Sequence, residues 1–79
     1  MLQVGDIVCR GPSWAYGDQD GQSRGGKIAI GKVGHVYEHN NIFLYRVDWK
    51  NAAPHVYRCN EQFKDIMLYK PVKSLEELL

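Results

Sequence analysis

The chain has little of what dedicated chemistry, a metal or a membrane would require. Its 79 residues include two cysteines, Cys9 and Cys59, with no CxxC or CxxH spacing to build a zinc knuckle. His35, His39 and His55 add scattered nitrogen ligands but no local ligand pair. A disulfide between the cysteines stays open; two buried, reduced thiols in an intracellular chain is the preferred reading. Charge of one sign is also missing. The formal net charge is +1, whereas a dedicated nucleic-acid binder shows a strongly basic face. No apolar run approaches a membrane span. The start, Met1-Leu2-Gln3-Val4-Gly5-Asp6, lacks the charged and apolar regions of a secretory signal. No nucleophile, base and orienting group fall together, and no cofactor motif is present, so nothing points to an enzyme. These absences lead to the expectation of a soluble cytoplasmic or nuclear domain with no membrane partner.

What is present is concentrated between Arg10 and Gly21. Arg10-Gly11-Pro12-Ser13-Trp14-Ala15-Tyr16-Gly17-Asp18-Gln19-Asp20-Gly21 is too polar and glycine-rich for a core element, yet it carries two large aromatics and two carboxylates. Its Gly-Pro, Tyr-Gly and Asp-Gly pairs predict an ordered, turn-rich loop, extending through Ser23-Arg24-Gly25-Gly26. Chain length allows one core, with net stability of about 3–5 kcal/mol at this size.

Alternation of apolar and polar residues predicts strands on either side of that loop. The first spans Val4 to Arg10, and a weak candidate spans Lys27 to Ile30. Firmer strands are Lys32 to Glu38 and Ile42 to Trp49, joined by the turn signal His39-Asn40-Asn41. In the clearest of them, Phe43, Tyr45, Val47 and Trp49 share one face. A further strand spans His55 to Cys59. Asn60 to Asp65 is a connection with room for one helical turn, and Ile66 to Tyr69 is a last short strand. Several short strands and tight turns predict an all-β fold, a small SH3-like antiparallel barrel over residues 1–70. In the tail, 71–79, Ser74 and Glu77 form a capping box before Leu78 and Leu79 and predict a short helix.

The run Gly5-x-x-Val8-x-Arg10-Gly11-Pro12-x-Trp14-x-Tyr16-Gly17-Asp18-Gln19-Asp20-Gly21 resembles the start of the Mib/Herc domain, a module of Mind bomb and related giant ubiquitin ligases. Gly34-x-Val36, Tyr45-x-Val47-x-Trp49, Tyr57-Arg58 and Asp65-Ile66 match its second block in order and spacing, so the resemblance covers residues 5–69. Ser13, Tyr16 and Lys50-Asn51-Ala52 depart from the family pattern, and residues 22–33 look like an insertion. The resemblance implies an SH3-like barrel and a non-catalytic role in recruiting a protein partner, a substrate tail or an adjacent ligase domain. In Mind bomb, paired copies flank a zinc finger and bind the cytoplasmic tails of Notch ligands; this chain contains no such finger.

Two readings meet at each notable residue. Trp14 either offers flat apolar area to a peptide or folds inward to close the core, and so small a core favours the second. Tyr16 is balanced between them. Asp18 and Asp20 lack the further oxygens and distal glutamate of a calcium loop; bracing of loop N–H groups is preferred, with Arg10 or Arg58 as ionic partner. Trp49 and Tyr57 are expected to pair across adjacent strands. Tyr45 and Tyr57, each with a hydroxyl to satisfy, are placed at the rim. The expected partner-binding set is therefore Tyr16, Tyr45, Tyr57, Arg24 and Lys27, and the loop-bracing set Arg10, Trp14, Asp18, Asp20 and Arg58. A chromatin, methyl-lysine or nucleic-acid reader is the alternative function, which for methyl-lysine needs three aromatics converging at one rim.

Overall fold

The computed structural model describes residues 1–25 and 27–70. Five strands, β1 (Ile7–Arg10), β2 (Gly31–His39), β3 (Ile42–Trp49), β4 (His55–Arg58) and β5 (Ile66–Leu68), form one antiparallel sheet in the order β4-β3-β2-β1-β5. One helical turn, α1 (Gln22–Gly25), lies in the long connection between β1 and β2. The domain is all-β, as its alternating sequence predicts. The sheet, however, is not closed into a barrel. Its outer strands, β4 and β5, are only four and three residues long, too short to build a closing ladder. One isolated bridge between Cys59 and Lys64 and a 3.1 Å bond from the Asp65 N–H to the Arg58 carbonyl tie that corner together.

Boundaries shift where a side chain competes with the ladder. β1 begins at Ile7 and not Val4, because the Gln3 N–H donates to the Asp6 carboxylate and the Asp6 N–H to the Gln3 carbonyl, making a turn. The 27–30 stretch is not a strand; the Ala29 N–H donates to the Gln22 side chain instead. Connection 60–65 holds no helical turn. The Asn60 side chain accepts from the N–H groups of Gln62 and Phe63, turning the chain within three residues. Of the segment 22–33, read from sequence as an insertion, residues 31–33 belong to β2: Gly31 opens the strand and Val33 is fully buried. The short helix expected within 71–79 lies outside the described residues.

The long hairpin of β2 and β3 is the backbone of the fold. Asn40 and Asn41 turn it with φ of 52° and 65°, the left-handed pair that a two-residue hairpin needs. Asn41→Gly should therefore stabilise the domain by about 0.5–1 kcal/mol, because glycine takes this conformation without steric cost. A rise in the thermal midpoint checks it. A bulge between Val33 and His35 changes the pairing, so that Val33 meets Val47 and Val36 meets Tyr45. His35 and Tyr37 consequently lie on the other face, away from Val33, although strict alternation groups the three together. The core on the inner face consists of Leu2, Val8, Val33, Tyr45, Val47, Trp49, Tyr57 and Ile66. Both cysteines are free thiols, and burial pushes each above the ordinary thiol range.

Candidate functional site

The β1–β2 connection is folded over one end of the core and held there by two aspartates with different anchors. Arg10, at the end of β1, forks onto Asp20, with Nε to Oδ2 at 2.6 Å and Nη2 to Oδ1 at 2.8 Å. The Gln22 N–H also donates to Asp20. Burial alone would raise the Asp20 pKa, but these donors outweigh it and hold the carboxyl below the usual carboxylate range. Asp18 is the exposed member of the pair. It accepts from the backbone N–H and hydroxyl of Ser23, starting α1, and its pKa is lowered first by those bonds.

A second buried carboxylate, Asp65, fixes the other side of the loop. It accepts from the Tyr16 hydroxyl at 2.7 Å, the Arg58 backbone N–H at 3.2 Å, and Arg58 Nε and Nη2 at 3.0 and 3.3 Å. Burial acts to raise its pKa, and the Arg58 and Tyr16 hydrogen bonds overcome that and lower it. Arg58 therefore does not grip the loop aspartates, as its sequence position suggested. It acts on the loop through Asp65 and Tyr16.

Four aromatics pack together between these anchors. Trp14 lies 5.2 Å from Tyr16, 5.3 Å from Tyr57 and 5.9 Å from Trp49, mostly edge to face. Its Nε1 donates to the Gly17 carbonyl, and the Arg10 guanidinium sits over its ring. Trp49 Nε1 donates to the Tyr57 hydroxyl, which donates in turn to Gln19 Oε1 at 2.7 Å. Burial pushes Tyr57 up to about 12. Tyr45 and Tyr57 are each 1% exposed. Both belong to the core and not the rim, because their polar ends are satisfied inside or their rings are needed there. Trp14 and Tyr16 are half-buried. The rings fill the space between one another, so they form packing in place of an open cage.

Of the expected partner-binding residues, this leaves Arg24 and Lys27 exposed, with Tyr16 partly so. Lys27 lies in an open groove of about 440 Å³, lined also by Ile28, Ala29, Lys50, Asn51 and Tyr69. Arg24 leans toward the Asn51 carbonyl at its edge. Ile28 is 62% exposed. Gly21 brings the loop against the backbone of Asn51 and so sets the groove's inner wall. Gln19, Ser13 and Asp65 are structural members that local sequence reasoning overlooks. Their partners, Tyr57, Lys64 and Tyr16, are distant in the chain, and only the DQDG run hinted at Gln19.

The fold and this loop define a small all-β domain with a braced aromatic loop and an adjoining surface groove. Over 76 residues the chain is 37% identical to a segment of the mouse E3 ubiquitin-protein ligase HERC2, taking in 94% of this chain and 1% of the ligase. The chain thus spans only a small piece of that relative. No family model matches the chain, and no solved structure matches it. No helix among the described residues is long and apolar enough to cross a membrane.

Proposed function

We propose that the chain is a non-catalytic protein-interaction module of a ubiquitin-ligase assembly, taking an extended segment of a protein partner in the groove beside its aromatic loop. The carrying observation is the groove's makeup. An exposed aliphatic side chain, Ile28, and two lysines, Lys27 and Lys50, stand over a wall whose position the braced loop fixes. An apolar anchor flanked by a few polar groups on a rigid support is the arrangement that binds peptides without costly ordering. The likeness to a ligase segment supplies the context. The buried carboxylates support a non-catalytic reading, since Asp20 and Asp65 are each engaged by an arginine in bracing the loop.

Titration of the isotope-labelled chain with peptides from ligase substrates tests the proposal. Amide shifts should cluster at residues 27–30, 50–51 and 69. Ile28→Asp should weaken binding about tenfold, the effect of losing roughly one buried aliphatic contact, and leave the thermal midpoint unchanged. Shifts confined to other surfaces, or none with any such peptide, would sink it.

A further inference from the structure

We propose that the groove beside the aromatic loop is occupied by residues 71–79 of the same chain, and that a partner segment gains it only by displacing them. The displacement rests on the groove being a partner's site, as proposed above; the occupancy does not.

The chain reaches the groove just before this segment begins. Tyr69 lines it together with Ile28 and Lys50. The Tyr69 N–H still donates to the Ile7 carbonyl at 2.9 Å, carrying the pairing of β1 and β5 one residue past Leu68. Donors to one neighbour fall on alternate residues of a strand, so the next would be Pro71, which has no N–H. The ladder therefore has no further donor where the chain meets the groove wall. Leu75 follows Tyr69 by six residues, and that much chain spans about 20 Å at most. A tether this short gives an effective concentration on the order of millimolar, which a free partner must overcome.

The groove and the segment are complementary in chemistry. Ile28 is exposed, and half-buried Ala29 and Ile30 adjoin it along the groove. Leu75, Leu78 and Leu79 fall within five residues of one another, with Glu76 and Glu77 between them. Charge agrees with the apolar match. The charged residues lining the groove are Asp20, Lys27 and Lys50. Asp20 is buried and answered by Arg10, whereas among the described residues no carboxylate pairs with either lysine. Residues 1–70 contain nine Lys and Arg against seven Asp and Glu. Lys27 and Lys50 account for that excess of two, because setting them and the Arg10–Asp20 pair aside leaves six of each sign. The segment has the opposite balance, Lys73 against two glutamates.

Nuclear Overhauser contacts in the isotope-labelled full chain test the occupancy directly. Leucine methyls of the segment should contact Ile28 and Ala29. Leu75→Asp/Leu78→Asp should abolish those contacts, shift the amides of residues 27–30, 50–51 and 69, and let a partner peptide bind about tenfold more tightly. Lys27→Glu/Lys50→Glu should shift the same amides, and adding Glu76→Lys/Glu77→Lys should return them toward their original positions. Damage to the fold gives no such rescue. Absence of the methyl contacts, groove amides indifferent to the leucine substitutions, or failure of the charge rescue overturns the proposal. Contacts that grow with protein concentration overturn it in favour of a second copy. Peptides that bind the unaltered and leucine-substituted chains equally well overturn the displacement and leave the partner's site standing. Methyl contacts in a chain whose substituted form takes no peptide uphold the occupancy and sink the partner's site instead.

Discussion

Replacing Asp65 with alanine is expected to cost about 3 kcal/mol, read as a large fall in the urea midpoint. Asp65 is 0% exposed and accepts hydrogen bonds from a tyrosine hydroxyl, a backbone N–H and a guanidinium fork. Its removal strips all of them at once. The Arg58 guanidinium is half-exposed and regains water, which keeps the cost below that of a fully buried pair. The Tyr16 hydroxyl and Arg58 N–H are less able to recover theirs. Set against a domain of about 3–5 kcal/mol total stability, the loss leaves much of the population unfolded. Asp18→Ala, which loses two hydrogen bonds from Ser23 at an exposed carboxylate of the same loop, should lower the midpoint by much less. Midpoints shifted equally in the two variants would show that Asp65 is not the anchor described.

The same carboxylates set the acid sensitivity. Asp20 and Asp65 both have folded pKa values below the ordinary range, and an unfolded aspartate titrates near ~3.9. A depressed folded pKa contributes stability that is complete above the unfolded value and is lost as pH falls toward the folded one. The urea midpoint should accordingly stay level from neutrality to about pH 5 and drop below that. Asp65→Asn should start lower and fall less steeply, having already lost one of the linked carboxylates.

The parts of the fold readable from sequence are those set by neighbours in the chain. Strand β3 shows itself because Phe43, Tyr45, Val47 and Trp49 alternate over its full length, and its hairpin because Asn40 and Asn41 tolerate positive φ. The bulge at Gly34 does not, since one extra residue leaves composition unchanged while turning His35 and Tyr37 to the outer face. The rim assignment of Tyr45 and Tyr57 failed for a related reason. A tyrosine hydroxyl suggests a wet end, but Trp49 and Gln19 satisfy that of Tyr57 in the interior, and Gln19 lies 38 residues away. Asp65 shows in the sequence only as a match to a family pattern; its role exists only once Tyr16, 49 residues earlier, reaches it. The loop could be recognised as ordered from its turns, but several side chains that order it are distant in the chain: Tyr57 and Arg58 of β4, and Asp65 just before β5.

Gly21→Ala should be among the most damaging substitutions in the chain, costing more than about 3 kcal/mol. Gly21 has φ of +76°, where a side chain costs about 1–2 kcal/mol by itself. A Cβ there would also stand 2.5 Å from the Asn51 carbonyl oxygen and 2.9 Å from its carbon. Both obstacles are backbone, so neither a rotamer change nor a flexible side chain relieves the clash. The loop would have to lift from the β3–β4 turn, drawing Asp20 from Arg10 and Gln19 from Tyr57 and opening the groove wall. Gly17→Ala separates the two effects, because its φ of +57° is similarly unfavourable while nothing lies within 4 Å of its would-be Cβ. That variant should lose only about 1 kcal/mol, the left-handed cost alone. Thermal melts, with the Trp14 indole resonance as a local reporter, distinguish them. Equal losses in both would mean that the loop's seat on Asn51 contributes nothing. A much larger loss at Gly21, with Trp14 released, would show that one glycine joins the braced loop to the groove.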